Sequence, residues 1–350
     1  MNSQALLDPQ IMQTFPKIEL HRHLEGSFSL NTLYKIATRN KIDVPRDFES
    51  FKKTVQFPKN GKPDFLLFLS KFRNDWYRTY EDVYDICHDS VLEMAEDGLF
   101  HLELRFSPEH FSLQNNFDRI EIADLVIKAS NAAAKKTGMS ISYLLTFNRS
   151  KQDETEMIDL YRKLMKLNLN DIVGIDLAGD ELNFPPELFK KFFQAVKADG
   201  RKATIHAGEV TPSSQIWTAI KELGAKRIGH GTSAIHDPEL QKYLTDNQIT
   251  LEQCITSNYQ TGSWEEEKSH PLGRLFRAGV PVTINSDDPF IQDTLLSDDY
   301  VKTVSFFGFT LDDLIKANKI ALDACFLSGP KKTELWNQYL LKIENFKDKN

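Results

Sequence analysis

Eight short apolar or β-branched runs, divided from one another by helix-type segments and glycines, constrain this chain more than any other feature. The runs are Lys17–His21, Leu102–Phe106, Ile141–Phe147, Ile172–Leu177, Ala203–His206, Arg227–Gly229, Ile249–Ile255 and Val280–Ile284. After the second run, apolar residues recur at three and four along Ile120–Lys136, Glu154–Leu167, Pro186–Ala198, Ser213–Leu223, Pro238–Asp246 and Pro271–Arg277. Gly138, Gly200, Gly224 and Gly279 stop four of these helices shortly before the next strand. Eight such units predict an α/β fold, a closed parallel (β/α)8 barrel of the TIM type. An open doubly wound sheet would show fewer strands and a glycine fingerprint.

The first interval breaks this rhythm. Residues 28–98 read as several helices, far longer than a usual βα connection. Phe65, Leu69 and Phe72 recur there at helical spacing, as core packing or as a lid over the barrel mouth. Residues 1–350 read as one domain carrying this insertion. The polar tail Phe346–Asn350 is expected to fray.

Charge excludes some partners. With 43 basic against 50 acidic side chains the net charge is −7, and no basic run of five residues occurs, so a nucleic-acid partner is not expected. No apolar run approaches the ~18 residues of a membrane span. Cys87, Cys254 and Cys325 are far apart and form no C-x-x-C pair, which suits reduced thiols, and Met1–Lys17 lacks a secretory pattern. The expected location is the cytoplasm.

The chemistry gathers at strand ends. In Glu19-Leu20-His21-Arg22-His23, residues two apart share a face of the strand, so His21 and His23 can converge on one metal ion. His206 and Glu209 follow the fifth run, His230 the sixth, and Asp287 and Asp288 the eighth. Barrel enzymes place their active sites at that C-terminal rim. Three imidazoles and a carboxylate, without paired cysteines, suit an open catalytic Zn²⁺ site that lowers the pKa of water toward ~7. Glu209, His230 and Asp288 remain to move protons and hold a substrate. A Walker A loop, a G-x-G-x-x-G after the first strand, a G-x-S-x-G elbow and the H-x-E…P-C-x-x-C signature are all absent.

Seven segments together resemble the adenosine deaminase family of the metal-dependent amidohydrolase barrels. They are Pro16–Ser27 (PKIELHRHLEGS), Glu103–Pro108 (ELRFSP), Gly174–Glu181 (GIDLAGDE), His206–Glu209 (HAGE), Arg227–Thr232 (RIGHGT), Ser257–Trp264 (SNYQTGSW) and Asn285–Pro289 (NSDDP). The resemblance implies hydrolytic deamination of a small purine nucleoside to a 6-oxopurine and ammonia, with one zinc per chain held by His21, His23, His206 and Asp287. It implies that Glu209 protonates the purine ring and that His230 orients or deprotonates the attacking water. Asp288 would bond the imidazole side of the purine and the Gly179 N–H would face its pyrimidine side. Glu25 stands where the adenosine enzymes generally carry an aspartate that contacts the ribose 5′-hydroxyl. A glutamate is commoner in the related adenine deaminases. Ile228-Gly229, the Thr261–Trp264 stretch and the Phe-rich insertion resemble the adenosine enzymes, which favours adenosine and deoxyadenosine over adenine or N6-modified AMP.

Overall fold

The computed structural model describes residues 4–58, 61–167 and 170–349. Its eight strands are β1 (Lys17–His23), β2 (Leu99–Phe106), β3 (Ser140–Asn148), β4 (Ile172–Ala178), β5 (Lys202–Ala207), β6 (Arg227–His230), β7 (Thr250–Gln253) and β8 (Val282–Ile284). They pair in parallel in chain order. The ring closes through one residue beyond β8. Asp287 bridges to Arg22, donating its N–H to His21 O at 3.0 Å and accepting from His23 N at 3.0 Å. This is the expected (β/α)8 barrel.

Helices and glycines fall where the periodicity places them. The helix Arg119–Thr137 ends at Gly138, whose φ of +74° is open to glycine at little cost, and its N–H returns to Ala134 O at 2.9 Å. Two strand expectations are corrected. β7 ends at Gln253 and not at Ile255, because the chain turns at Cys254 into the helix Ile255–Gln260. β8 starts at Val282, since the Val280 N–H is spent closing the preceding helix onto Leu275 O. The tail also departs from expectation. The last helix runs Gly329–Lys349, held by buried Phe346 packed edge-on to Phe15 with centroids 5.2 Å apart. Asn350 lies outside the described residues.

Between β1 and β2 lie the helices Leu30–Arg39, Phe48–Val55, Phe65–Leu69 and Tyr80–Glu96. Asp64 caps the third by accepting from Leu67 N at 2.8 Å. That helix stops at Leu69, so Phe72 lies beyond it and not on its face. Two backbone bonds tie this stretch to the C-terminal rim, Asp64 N to Gln260 O at 3.0 Å and Phe57 N to Ile291 O at 2.7 Å. Among the described residues, no helix is long and apolar enough to cross a membrane.

The barrel interior is charged as well as apolar. Glu103 on β2 pairs with Arg227 on β6 at 2.6 Å, and Arg227 with Glu252 on β7 at 2.6 Å. Glu252 also pairs with Arg105 on β2, which reaches Asp176 on β4 at 3.0 Å. All five side chains are buried. Buried charges survive only when paired and hydrogen-bonded, and here each ion meets an opposite one along a chain that ends under the C-terminal rim.

Candidate metal and substrate site

A cavity of about 330 Å³ opens at that rim, within the range of roughly 300–1,000 Å³ usual for small-molecule sites. His23, His206, His230, Asp287, Asp288, Glu209, Glu25 and Gly179 all line it, and His21 lies beneath, 3.2 Å from Asp287 Oδ1. The structure thus brings together every residue singled out in the sequence. Phe65, Leu69 and Phe72, left open above between core and lid, line the cavity from the insertion.

The imidazoles are aimed by what sits behind them. His21 Nδ1 is 3.0 Å from Glu252 Oε2, and His206 Nδ1 is 3.2 Å from Asp176 Oδ1 and 3.0 Å from Leu177 O. Carboxylates and carbonyls accept, so both Nδ1 atoms carry the proton and both Nε2 lone pairs turn inward. Further ring and carboxylate atoms converge on them. His23 Nε2 and His206 Nε2 are 3.2 Å apart, His23 Nε2 is 3.5 Å from Asp287 Oδ1, and buried His21 Nε2 has no hydrogen-bond partner. Converging lone pairs around a carboxylate call for a cation, and this donor set fits a metal.

His230 is close enough to be counted with them, since one ligand atom each of His21, His206, His230 and Asp287 lies within 4.8 Å of the others. Its hydrogen bonds say otherwise. Asn258 Nδ2 lies 3.1 Å from His230 Nδ1, while His230 Nε2 faces Glu209 Oε2 at 3.6 Å and Asp287 Oδ2 at 3.8 Å. The backbone is left-handed at His230 (φ +57°) and Asp287 (φ +67°), an uncommon state for such residues and one that clusters at functional sites.

Electrostatics separates the carboxylates. Burial, followed by the neighbouring Glu181 and Asp287, pushes Glu209 well above the carboxylate range, so its neutral acid form is favoured. Burial, then Asp287, does the same to Asp288. Burial also acts against charge on Asp287, but His21, His230 and His23 outweigh it and hold that group well below its ordinary value. Ser257 Oγ donates to Asp287 Oδ2 at 2.6 Å. Glu25 is pushed up to about 8 by burial, against the Ser107 N–H that it accepts at 2.6 Å. Gly26 lets Asp288 approach, because a Cβ there would lie 1.7 Å from Asp288 Oδ1.

Several of these partners escaped sequence reasoning. Arg105, Asp176 and Glu252 are charges inside apolar strand runs, a pattern that marks an inward-facing polar position once the barrel is assumed. Ser257 and Asn258 lie beyond β7, on a helix that the sequence reads partly as strand. His270, which bonds Asn258, carries no local signal.

The fold and the site define an α/β barrel whose rim gathers a buried His/Asp donor set that fits a metal. The sequence pattern of the family described as Adenosine deaminase matches residues 16–340. The chain is 33% identical over 330 residues to the adenosine deaminase of Aliivibrio fischeri (strain MJ11), covering 93% of this chain and 98% of that protein. It superposes on the adenine deaminase of Arthrobacter aurescens with a TM-score of 0.85 and 24% identity, covering 94% and 99% of the two chains. With an amidohydrolase from Burkholderia ambifaria solved with bound Zn, the TM-score is 0.88 at 21% identity, covering 98% and 94%. The chain belongs to the adenosine deaminase family.

Proposed function

We propose that this protein is a zinc-dependent deaminase that converts adenosine and deoxyadenosine to the 6-oxopurine nucleoside and ammonia. The observation that carries the reading is Glu209, a carboxyl buried in the rim cavity beside His230 and Asp287, where burial pushes it well above the ordinary carboxylate range. Deamination at C6 needs such an acid, because the purine ring resists addition until its adjacent nitrogen gains a proton. His21, His23, His206 and Asp287 would hold the zinc. When bound there, the ion supplies hydroxide at neutral pH by lowering the pKa of water from about 15.7 toward ~7.

The chain's own groups do the rest. Glu209 delivers its proton to the ring nitrogen and His230 orients the attacking oxygen, so that a C–O bond forms at the amino-bearing carbon. The C–N bond then breaks as the proton of the added hydroxyl passes to the amino group, which leaves as ammonia. The oxygen stays as the 6-oxo group, and Glu209 regains its proton from solvent. Asp288, whose carboxyl burial and the neighbouring Asp287 push well above the ordinary range, donates to the imidazole side of the purine. The Gly179 N–H faces the pyrimidine side. Phe65, Leu69 and Phe72 would act as the lid, excluding water from Glu209.

Adenine or N6-modified AMP is the second reading, favoured by one observation. Glu25, where the adenosine enzymes generally carry aspartate, spends one oxygen on the Ser107 N–H. Initial rates on adenosine, adenine and N6-methyl-AMP with metal-analysed protein decide between them. The highest kcat/KM is expected for adenosine, and a preference for either other substrate overturns that choice while keeping the chemistry.

A further inference from the structure

His230 can meet the reaction as a base with a bare Nε2 or as a donor with a proton there, and its other nitrogen decides which. That nitrogen, Nδ1, lies 3.1 Å from Asn258 Nδ2, an amide nitrogen that only donates. The amide is oriented in turn by His270, whose Nε2 lies 3.0 Å from Asn258 Oδ1. His270 is fixed as well. Its Nδ1 accepts from the Leu272 N–H at 3.3 Å, which leaves its proton on Nε2. All three side chains are buried, and burial holds His270 at about 3, a neutral ring. Turning the amide round would require a proton on His270 Nδ1 against the Leu272 N–H, two buried donors facing each other.

The geometry points to a one-way relay from Leu272 N–H through His270 and Asn258 to His230, in which His270 and Asn258 are positioning residues that lock His230 as the neutral tautomer protonated on Nε2. His230 therefore acts as a hydrogen-bond donor to the attacking oxygen and not as the base that takes its proton. Nε2 faces the cavity with Glu209 Oε2 at 3.6 Å and Asp287 Oδ2 at 3.8 Å, both beyond hydrogen-bonding distance, so its partner is set by what enters the site. The inference rests on the deaminase reading for what His230 touches, but its test does not.

Histidine-selective ¹⁵N NMR of the zinc-loaded wild-type protein reads the tautomer directly, with His230 assigned by its absence from a His230→Gln variant. A proton-bearing Nε2 and a bare Nδ1 are expected at neutral pH. A proton on Nδ1, or on both nitrogens, overturns the proposal whatever the substrate proves to be.

Asn258→Asp then reverses the relay, since a carboxylate accepts from both imidazoles and draws the His230 proton to Nδ1. Turnover should fall by about 10²–10⁴-fold, the cost of a histidine in the wrong tautomer, with KM nearly unchanged. His270→Phe should lose part of that turnover, and His270→Gln, which keeps an N–H toward Asn258, should recover it. An Asn258→Asp variant with wild-type kcat and tautomer would overturn the proposal. A packing role for His270 would leave the His230 proton in place in the Phe variant, which overturns it equally.

Discussion

At the N-terminal end of the barrel, His101, Glu103 and Cys325 place an imidazole, a carboxylate and a thiol within 4.8 Å of one another, and His21, His206, His230 and Asp287 do likewise at the C-terminal rim. The lower cluster is already served. Glu103 bonds Arg227 at 2.6 Å and the Phe326 N–H, His101 Nδ1 lies 3.0 Å from Ser140 Oγ, and burial pushes the Cys325 thiol up to about 12. At the rim Arg105 stays one layer behind, committed to Glu252 and Asp176, and Arg149 is spent on His206 O at 2.7 Å. Asp287 therefore meets imidazoles and Ser257, with no Lys or Arg as an ion-pair partner among the described residues. Residue type and proximity are common to the two ends. What separates them is whether a fixed cation of the protein already occupies the place that a metal would take. One atom keeps the comparison open, since His101 Nε2 has no hydrogen-bond partner.

Metal analysis is the strongest way to break that comparison. Native mass spectrometry should find one metal per chain, and His206→Ala should lose both the metal and turnover, far beyond the 10–100-fold typical of a ligand's supporting partners. His101→Ala should change neither metal content nor kcat. A second ion that disappears in His101→Ala would make the lower cluster a site. An active, metal-free His206→Ala would remove the upper one.

The buried glutamates Glu209 and Glu103 extend the contrast, because only the second has an arginine partner. Glu209→Gln should bind substrate with nearly the wild-type KM and lose about 10²–10⁴-fold in kcat, the usual contribution of a positioned acid. The pH dependence follows from the direction of its shift. Glu209 is raised in the folded protein, so the proton it holds contributes stability below the ordinary carboxylate range, and that contribution is lost as pH rises through its raised value. Wild-type kcat/KM should therefore fall on the alkaline side, a limb missing from the residual activity of Glu209→Gln. Thermal melts should show the Gln variant losing less stability than wild type over the same rise. A shared alkaline limb would take Glu209 out of the proton transfer.

The rim was legible in the sequence because its residues obey short-range rules. His21 and His23 share a strand face, His206 and His230 sit at the ends of runs whose β character is local, and Asp287 follows the last strand by three residues. The barrel was legible from the repeated order of strand, helix and glycine. What was not legible depends on contacts far along the chain. Cys254-Ile255 favours a strand, yet the chain turns helical there and carries Ser257 and Asn258 to Asp287 and His230. The tail holds as a helix to Lys349 because Phe346 finds Phe15, more than three hundred residues earlier. The charges on β2, β4 and β7 make sense only once the inner face of the barrel is known.

Those charges sharpen the comparison at a middle level of effect. Asp176→Asn weakens the acceptor that orients His206, and metal affinity measured by competition with a chelator should fall by 10–100-fold. Glu103→Gln, its counterpart below, should leave metal affinity alone and lower the melting temperature, because Arg227 loses one of two buried anionic partners. Breaking a buried pair costs roughly 3–5 kcal/mol. Equal effects of the two variants on metal affinity would mean that the charged chain acts as one unit and the ends are not separate.

The smallest effect is expected at Glu25, where the rim meets the substrate and not the metal. Glu25 lines the cavity with one oxygen held by the Ser107 N–H at 2.6 Å, which leaves the other for a hydroxyl of the substrate. Glu25→Asp shortens the reach by one methylene, so the carboxylate cannot keep both partners. If the free oxygen serves the ribose, kcat/KM for adenosine should drop by about tenfold, near the lower end of what one methylene is worth in a specificity pocket. The drop should appear in KM, and the rate on adenine, which has no ribose, should hold. The reverse result, with adenine falling and adenosine unchanged, would show that the extra methylene serves the free base, and the substrate assignment would move to adenine with the metal site and Glu209 left in their roles.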